Sequence, residues 1–176
     1  MTREQRRFLF LVTVVGVCLF LSIFLWNECG NSSYTLPKSV IDHNDPLAYE
    51  NGGIAVFTMK TLGLDAGKWD VGSIANDMQI IAKHEVYENH TEGSILFKVV
   101  GDADDRYGNT SQTDFFSLQF SMDDLKQINW SNLMLGKILN LGKIVGETGV
   151  GELVIAKYCD ADRAESEYFC AVGTAR

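Results

Sequence analysis

An apolar run without a charged residue, residues 8–26, is the first pattern in the chain. A helix over this run is roughly 28 Å long, close to the thickness of a bilayer's hydrocarbon core. Three arginines, at positions 3, 6 and 7, precede the run, and the next basic residue after it is Lys38. Because basic residues favour the cytoplasmic side, the pattern predicts a transmembrane helix with a cytoplasmic N-terminus.

A cleaved signal peptide is the alternative for residues 8–26. Signal peptides usually have an apolar stretch of about 7–15 residues and a cleavage site between small residues. Residues 30–32 could serve as a cleavage site. The apolar run is longer than that of a usual signal peptide, however, which favours an uncleaved anchor. The expected location is the cell inner membrane, single-pass, with the bilayer bound through residues 8–26 and the C-terminal domain in the periplasm.

The rest of the chain divides into a linker and one folded domain. Residues 27–53 contain both prolines and many Asn, Asp, Gly and Ser residues, as linkers do. The apolar run 54–60 and the alternating segment 78–87 predict strands. The division is therefore 1–7 cytoplasmic, 8–26 transmembrane, 27–53 linker and 54–176 exported globular domain.

A β-hairpin is predicted where two apolar strands, 94–101 and 114–121, flank a segment rich in turn formers. The order of strand, ADDRYGNTS and strand resembles the last hairpin of bacterial immunoglobulin-like repeats, over residues 93–121. The resemblance implies antiparallel pairing of these strands.

An amphipathic helix is predicted after this hairpin, over residues 122–143. Ser121 and the acidic residues after it suit a helix N-terminus. Apolar residues then recur at spacings of three or four: Trp130, Met134, Ile138, Leu141 and Val145. Segments 152–159 and 168–172 are predicted as further strands. The predicted fold class is an N-terminal transmembrane helix followed by a β-rich α+β domain, an antiparallel sheet or sandwich with one amphipathic helix.

Composition and charge narrow the function. The 176 residues include 46% hydrophobic ones, enough for a single core. The net charge is -8, from 15 Lys and Arg against 23 Asp and Glu. This charge argues against nucleic acid as a partner, because phosphate binding requires a clustered basic face.

The cysteines predict one disulfide. Cys159 and Cys170 form the pair within the predicted globular domain, and export favours their oxidation. Two unpaired thiols are the alternative. Cys29, close to the apolar run, is either free or links two copies of the chain.

Three aspartates are the clearest candidates for a ligand-binding site. Asp102, Asp104 and Asp105 could supply oxygen ligands to Ca²⁺, although the spacing does not match an EF-hand loop and a solvated turn is the alternative. The glycine-rich stretch 146–151 lacks the Lys-Ser/Thr of a phosphate-binding loop and is interpreted as a helix-to-strand turn. No cofactor and no catalytic signature is predicted.

A surface for a protein partner is a further possibility. On the predicted helix, Trp130, Met134 and Ile138 form an apolar stripe that could bind a partner helix or pack on its own sheet.

The leading hypothesis is a non-enzymatic, membrane-anchored envelope protein whose periplasmic domain binds other envelope proteins or itself, as a subunit or accessory factor of a membrane complex. The alternatives are an exported ligand- or Ca²⁺-binding module and an enzyme with a dispersed site. Four N-glycosylation sequons leave bacterial and eukaryotic export both open.

Overall fold

The computed structural model describes residues 34–44, 53–61, 68–88, 92–134, 136–162 and 167–173. The chain divides into two compact units, Met1–Thr35 and Leu36–Arg176, and the fold described here is that of the second. Its strands are β1 (Val40–His43), β2 (Ile54–Lys60), β3 (Ser94–Asp104), β4 (Thr110–Ser121) and β5 (Lys143–Glu147). Its helices are α1 (Lys68–Tyr87), α2 (Met122–Leu125), a 3₁₀ helix (Lys137–Leu141), α3 (Gly149–Asp162) and α4 (Glu167–Gly173).

The five strands form one mixed sheet in the order β1-β2-β3-β4-β5. β2 and β3 are parallel, whereas the other neighbouring pairs are antiparallel. Parallel neighbours need a long crossover connection, and α1 lies in this connection. The fold is therefore α+β, with one parallel pair inside an otherwise antiparallel sheet.

One face of the sheet carries the core. Alternate residues of the three central strands point into it: Ala55, Phe57 and Met59 from β2, Ile95, Phe97 and Val99 from β3, and Phe116, Leu118 and Phe120 from β4. Buried residues of the helices complete the same cluster. The ring of Phe97 lies 5.6 Å from that of Phe57 and 5.6 Å from that of Phe120, so aromatic contacts connect the central strands across this face.

The predicted transmembrane helix is not supported. None of the helices in the described part of the chain has both the length and the apolar composition that a bilayer span requires. The longest of them, α1, has 20 residues but carries Asp77, Lys83 and Glu85. The predictions of a membrane helix, of an inner-membrane location and of a periplasmic domain are corrected accordingly, and residues 8–26 themselves lie outside the described residues.

The predicted antiparallel sheet or sandwich with one amphipathic helix is also wrong. Segment 78–87 belongs to α1, because its buried residues Met78, Ile81 and Ala82 follow helical rather than alternating spacing. Segments 152–159 and 168–172 likewise lie in α3 and α4. The predicted helix 122–143 ends at Leu125. Short apolar runs fit a buried helix as well as a strand, which explains the errors at 152–159 and 168–172.

The sheet begins before Ile54. Val40–His43, within the predicted linker, pairs with β2 as an edge strand. Just before it, the hydroxyl of Ser39 donates a hydrogen bond of 2.6 Å to Asp77 in α1. This part of the predicted linker is therefore attached to both the sheet and a helix. The predicted strand 54–60 and the predicted hairpin 94–121 are present as β2 and as β3 with β4.

Candidate interaction site

The β3–β4 hairpin extends beyond its neighbours in the sheet. β2 pairs with β3 only as far as Val100, and β5 pairs with β4 only as far as Phe116. Past these points four further residue pairs continue, from Gly101↔Thr113 to Asp104↔Thr110. Four pairs span about 13 Å. We call residues 101–113 the arm.

The tip of the arm is a tight turn. The amide of Asp105 donates to the carbonyl of Asn109, and the amide of Gly108 donates to the carbonyl of Asp105, each at 3.0 Å. Gly108 has φ of 80°, a conformation that costs glycine little. Aspartate at the first position and glycine at the fourth are typical of a type I turn, so the local sequence specifies this tip.

The carboxylate of Asp105 holds this turn from within. Its Oδ1 accepts hydrogen bonds from the amides of Tyr107 (2.8 Å) and Asn109 (2.9 Å), and its Oδ2 accepts one from the Asn109 side chain (3.0 Å). The side-chain bond from Asn109, followed by these backbone bonds, lowers the pKa of Asp105 below its ordinary value. The charged form of Asp105 is thus the form that orders the tip.

The two other aspartates predicted as Ca²⁺ ligands also have partners in the protein. Thr110 donates its hydroxyl to Asp104 at 2.5 Å, and the ammonium of Lys60 lies 3.0 Å from Oδ2 of Asp102. Throughout the described residues, no group of three or more His, Cys, Asp or Glu side chains is arranged to hold a metal ion. The geometry thus assigns Asp102, Asp104 and Asp105 to ordering the arm.

The base of the arm is held by the start of α3. Thr148 donates its hydroxyl to the carbonyl of Asp114 (2.8 Å) and its amide to the carbonyl of Phe115 (2.9 Å). Phe115, fully buried, packs so closely on Gly101 that a Cβ there would lie 2.4 Å from its ring. The arm therefore projects from a fixed base.

The glycine-rich stretch at this base runs from strand to helix, and not from helix to strand as predicted. Thr148 follows β5 and caps α3, accepting a hydrogen bond of 3.1 Å from the amide of Gly151. A Cβ on Gly151 would lie 1.8 Å from the carbonyl oxygen of Phe115. Gly151 thus permits close contact between α3 and β4, a packing role.

An exposed cation–aromatic pair forms the end of the arm. The Arg106 guanidinium lies 4.6 Å from the ring centroid of Tyr107 and donates a hydrogen bond to its hydroxyl. The Tyr107 side chain is 72% exposed. Tyrosine and arginine are enriched among the residues that contribute most to protein–protein binding. In the sequence, both residues lie within the segment rich in turn formers, where an aromatic residue in a polar turn is a recognisable signal of an exposed contact.

The predicted partner surface is not assembled. Trp130 and Ile138 belong to the hydrophobic core, whereas Met134 is 64% exposed. The three residues lie in a segment of turns and a 3₁₀ helix, where helical spacing does not bring side chains to one face. An apolar stripe formed by these residues is absent from the described residues.

The predicted disulfide Cys159–Cys170 is confirmed. It joins α3 to α4, and both cysteines are fully buried. Beside it, the ring of Phe169 lies 6.2 Å from that of Tyr158 and 6.0 Å from that of Phe116 in β4. The disulfide therefore fixes α4 against the core, which is a structural role.

The sheet face opposite the core is the second surface of interest. We call it the outer face, and its half-buried or exposed residues include Asp42, Ile54, Val56, Thr58, Lys60, Ser94, Leu96, Lys98, Ser117, Gln119, Ser121 and Lys143. Val100, on the same face, is buried. Lys60 is paired with Asp102. Lys98 and Lys143 are exposed, and neither has an ion-pair partner within the described ranges. Asp42, Thr58 and Lys98 lie in one row across the sheet, so charges of both signs are present on the outer face.

Comparisons of the chain with models of protein families, with curated proteins and with solved structures find no match. The resemblance of residues 93–121 to a bacterial immunoglobulin-like hairpin stays a prediction.

Proposed function

We propose that this domain is a protein-interaction module, a subunit or accessory factor of a larger assembly, and that the arm is its principal contact. The observation that carries the proposal is the exposed Arg106–Tyr107 pair at the end of a projecting, internally braced hairpin. A preordered contact loses less conformational entropy when a partner binds than a flexible loop does.

Two further features support binding through the arm. Its acidic side chains are committed to the turn, to Thr110 and to Lys60, so they order the arm and leave the tip side chains accessible. Tyrosine presents a large, rigid contact area with few rotatable bonds, as is typical of binding loops. The alternatives, a ligand- or Ca²⁺-binding module and an enzyme with a dispersed site, stay predictions.

Site-specific cross-linking tests this proposal in the full-length protein. Tyr107 is replaced by the photoreactive p-benzoylphenylalanine, and the protein is irradiated in the cells from which it comes. The matched control carries the same replacement at Tyr168, which is 61% exposed on α4. We expect a discrete protein adduct from position 107 and not from 168. Adducts of equal yield from both positions, or none from position 107, would overturn the proposal.

A further inference from the structure

The backbone at the base of the arm shows which groups of the hairpin point outward. In an antiparallel pair, residues that bond each other alternate with residues whose N–H and C=O groups point away from the pair. Val100 and Asp114 are opposite each other. The carbonyl of Val100 accepts the amide of Thr61 (2.9 Å), and the carbonyl of Asp114 accepts the hydroxyl of Thr148 (2.8 Å). The backbone groups of Val100 and Asp114 therefore point to the two edges of the hairpin.

This alternation continues through the arm to its tip. The register from Val100↔Asp114 to Asp104↔Thr110 contains no shift. In β4, Gln112 and Thr110 therefore direct their N–H and C=O groups to the edge, beyond the point where β5 ends its pairing. Among the described residues, no strand and no other backbone group bonds to them there. We call residues 110–113 the free edge.

The free edge lacks the features that usually prevent the addition of a strand. Proteins protect their sheet edges by making them short, bulged or charged. The outer strands β1 and β5 have 4 and 5 residues, and each pairing contains a register shift. The free edge is regular, and its sequence, TSQT, contains neither a charge nor a proline. The opposite edge of the arm carries Asp102 and Asp104. Strand addition is therefore favoured along β4.

The charge beside the free edge indicates what kind of segment fits it. Asp102, Asp104 and Asp114 lie on one side of the arm, since alternate residues of a strand share a face. Asp102 is paired with Lys60, and Asp104 accepts the hydroxyl of Thr110. Asp114 is exposed, and within the described part of the chain it has no ion-pair partner. An added strand thus meets acidic side chains, one of which is uncompensated.

The contact between β2 and β3 shows how a flanking strand meets such a charge. Lys60 is opposite Val100, yet its ammonium lies 3.0 Å from the carboxylate of Asp102, two residues further along β3. A lysine or arginine opposite Gln112 in an added strand would reach Asp114 by the same diagonal. A basic segment is therefore the complement of this side of the arm.

We infer that the free edge binds an extended basic segment of another protein as an added strand, in line with β5. The backbone of Thr110 and Gln112 provides the hydrogen bonds, and the carboxylate of Asp114 selects a basic residue. In strand addition, main-chain bonds give affinity and side chains give specificity. This inference rests on the proposed function, because it specifies how the arm binds its partner.

The yield of the cross-link from position 107 tests the backbone part of this inference in the full-length protein. Gln112→Pro removes an outward N–H and places a ring on the free edge, while the bonds between β3 and β4 are retained. We expect the adduct yield to fall at least about fivefold. Gln112→Ala keeps the N–H, is the matched control, and should stay within about twofold of the wild type. Slow exchange of the Ser111 amide, which bonds to Ala103, verifies that each variant retains the arm.

A charge reversal tests the selection of a basic segment. Asp114→Lys places like charge beside that segment and should lower the adduct yield at least about threefold. Asp123→Lys makes the same change of charge at an exposed position of α2, and this matched control should leave the yield unchanged. Mass spectrometry of the adduct should locate the attachment in a segment that contains lysine or arginine.

Each outcome decides the inference. Loss in Gln112→Pro and in Asp114→Lys, with retention in both controls, supports it. It is overturned if Gln112→Pro or Asp114→Lys leaves the yield unchanged, if a control loses as much, or if the attachment lies in an acidic segment or in a second copy of the chain. In those cases the adduct still supports the interaction module. A wild-type protein that gives no adduct from position 107 overturns both proposals.

Discussion

The inner part of the β3–β4 hairpin lies between other strands and under helices, whereas no strand among the described residues flanks the arm on either side. The inner pairs place Phe97 and Phe120 in the aromatic cluster of the core. The arm is held by its turn, by Asp105, by the Lys60–Asp102 ion pair, by Ala103 against the core and by contacts at its base. One hairpin therefore combines a part stabilised by extensive distant packing with a part stabilised largely by local hydrogen bonds. We expect mutations in the first to lower global stability and those in the second to alter local order and binding.

The largest difference between the two parts is expected from removing an aromatic side chain. Phe97→Ala deletes a fully buried ring between two others and should lower the free energy of unfolding by about 3–5 kcal/mol. Tyr107→Ala, in the arm, is the control and should change it by no more than about 0.5 kcal/mol. Denaturant unfolding measures both. Equal losses would contradict the proposed division of the hairpin.

The disulfide should stabilise the inner part of the β3–β4 hairpin and not the arm. Its cysteines are separated by 11 positions, for which loop-closure entropy predicts a loss of about 3 kcal/mol when both are replaced by alanine. Because Phe169 of α4 packs on Phe116, amide exchange should accelerate in the inner part of β4, while the Tyr107 amide keeps its wild-type rate. The reduced wild-type protein should behave in the same way. Faster exchange at Tyr107 would show that the arm depends on α4.

The junction between the two parts is tested by a pair of glycines in α3. Gly151→Ala forces α3 away from the Phe115 carbonyl and should cost about 1–3 kcal/mol of stability. Gly149, with no neighbouring atom within 4 Å of an added Cβ, is the matched control. Gly149→Ala should be neutral or stabilise by up to about 1 kcal/mol, since alanine favours a helix. Thermal unfolding distinguishes them, and similar midpoints would be evidence against the close contact.

The smallest effect should be a loosening of the tip of the arm in acid. The pKa of Asp105 is lowered in the folded protein, so its contribution is fully present above the ordinary aspartate value of about 3.9 and is lost as pH falls through the lowered pKa. NMR titration should show the Asp105 carboxyl titrating below that value, with exchange of the Tyr107 and Asn109 amides increasing in step. Asn109→Ala removes the largest cause and should raise the pKa. A carboxyl that titrates at its ordinary value in wild-type protein would exclude this role.

The sequence specifies the locally determined elements well. The residues DRYG determine the turn, an apolar run identifies β3 and alternation identifies β4. The short helix α2 begins directly after Ser121, as predicted, although the Ser121 side chain makes no capping hydrogen bond. These features depend on interactions between residues close in the chain. The Lys60–Asp102 pair and the contact between Gly151 and Phe115 join distant residues, and no local pattern predicts them.

The errors arise where tertiary packing decides between helix and strand. In the segment after α2, Trp130 and Ile138 have helical spacing, but Gly136 adopts a φ of 80° and the chain turns. In α3, Val154, Ile155 and Tyr158 face the core at helical spacing, although the same apolar run reads equally as a buried strand. The arm could not be predicted from the sequence for the same reason. Its length depends on where β2 and β5 end, and tertiary packing decides this.

The parallel pairing of β2 with β3 has a consequence for the order in which the chain assembles. The antiparallel partners β3 and β4 are joined by a tight turn, so their contacts close a short loop at small entropic cost. The contacts between β2 and β3 must await placement of the whole crossover that contains α1. Pulse-labelling during refolding should therefore show amides within the β3–β4 hairpin protected from exchange first. Amides bonded between β2 and β3 should become protected later.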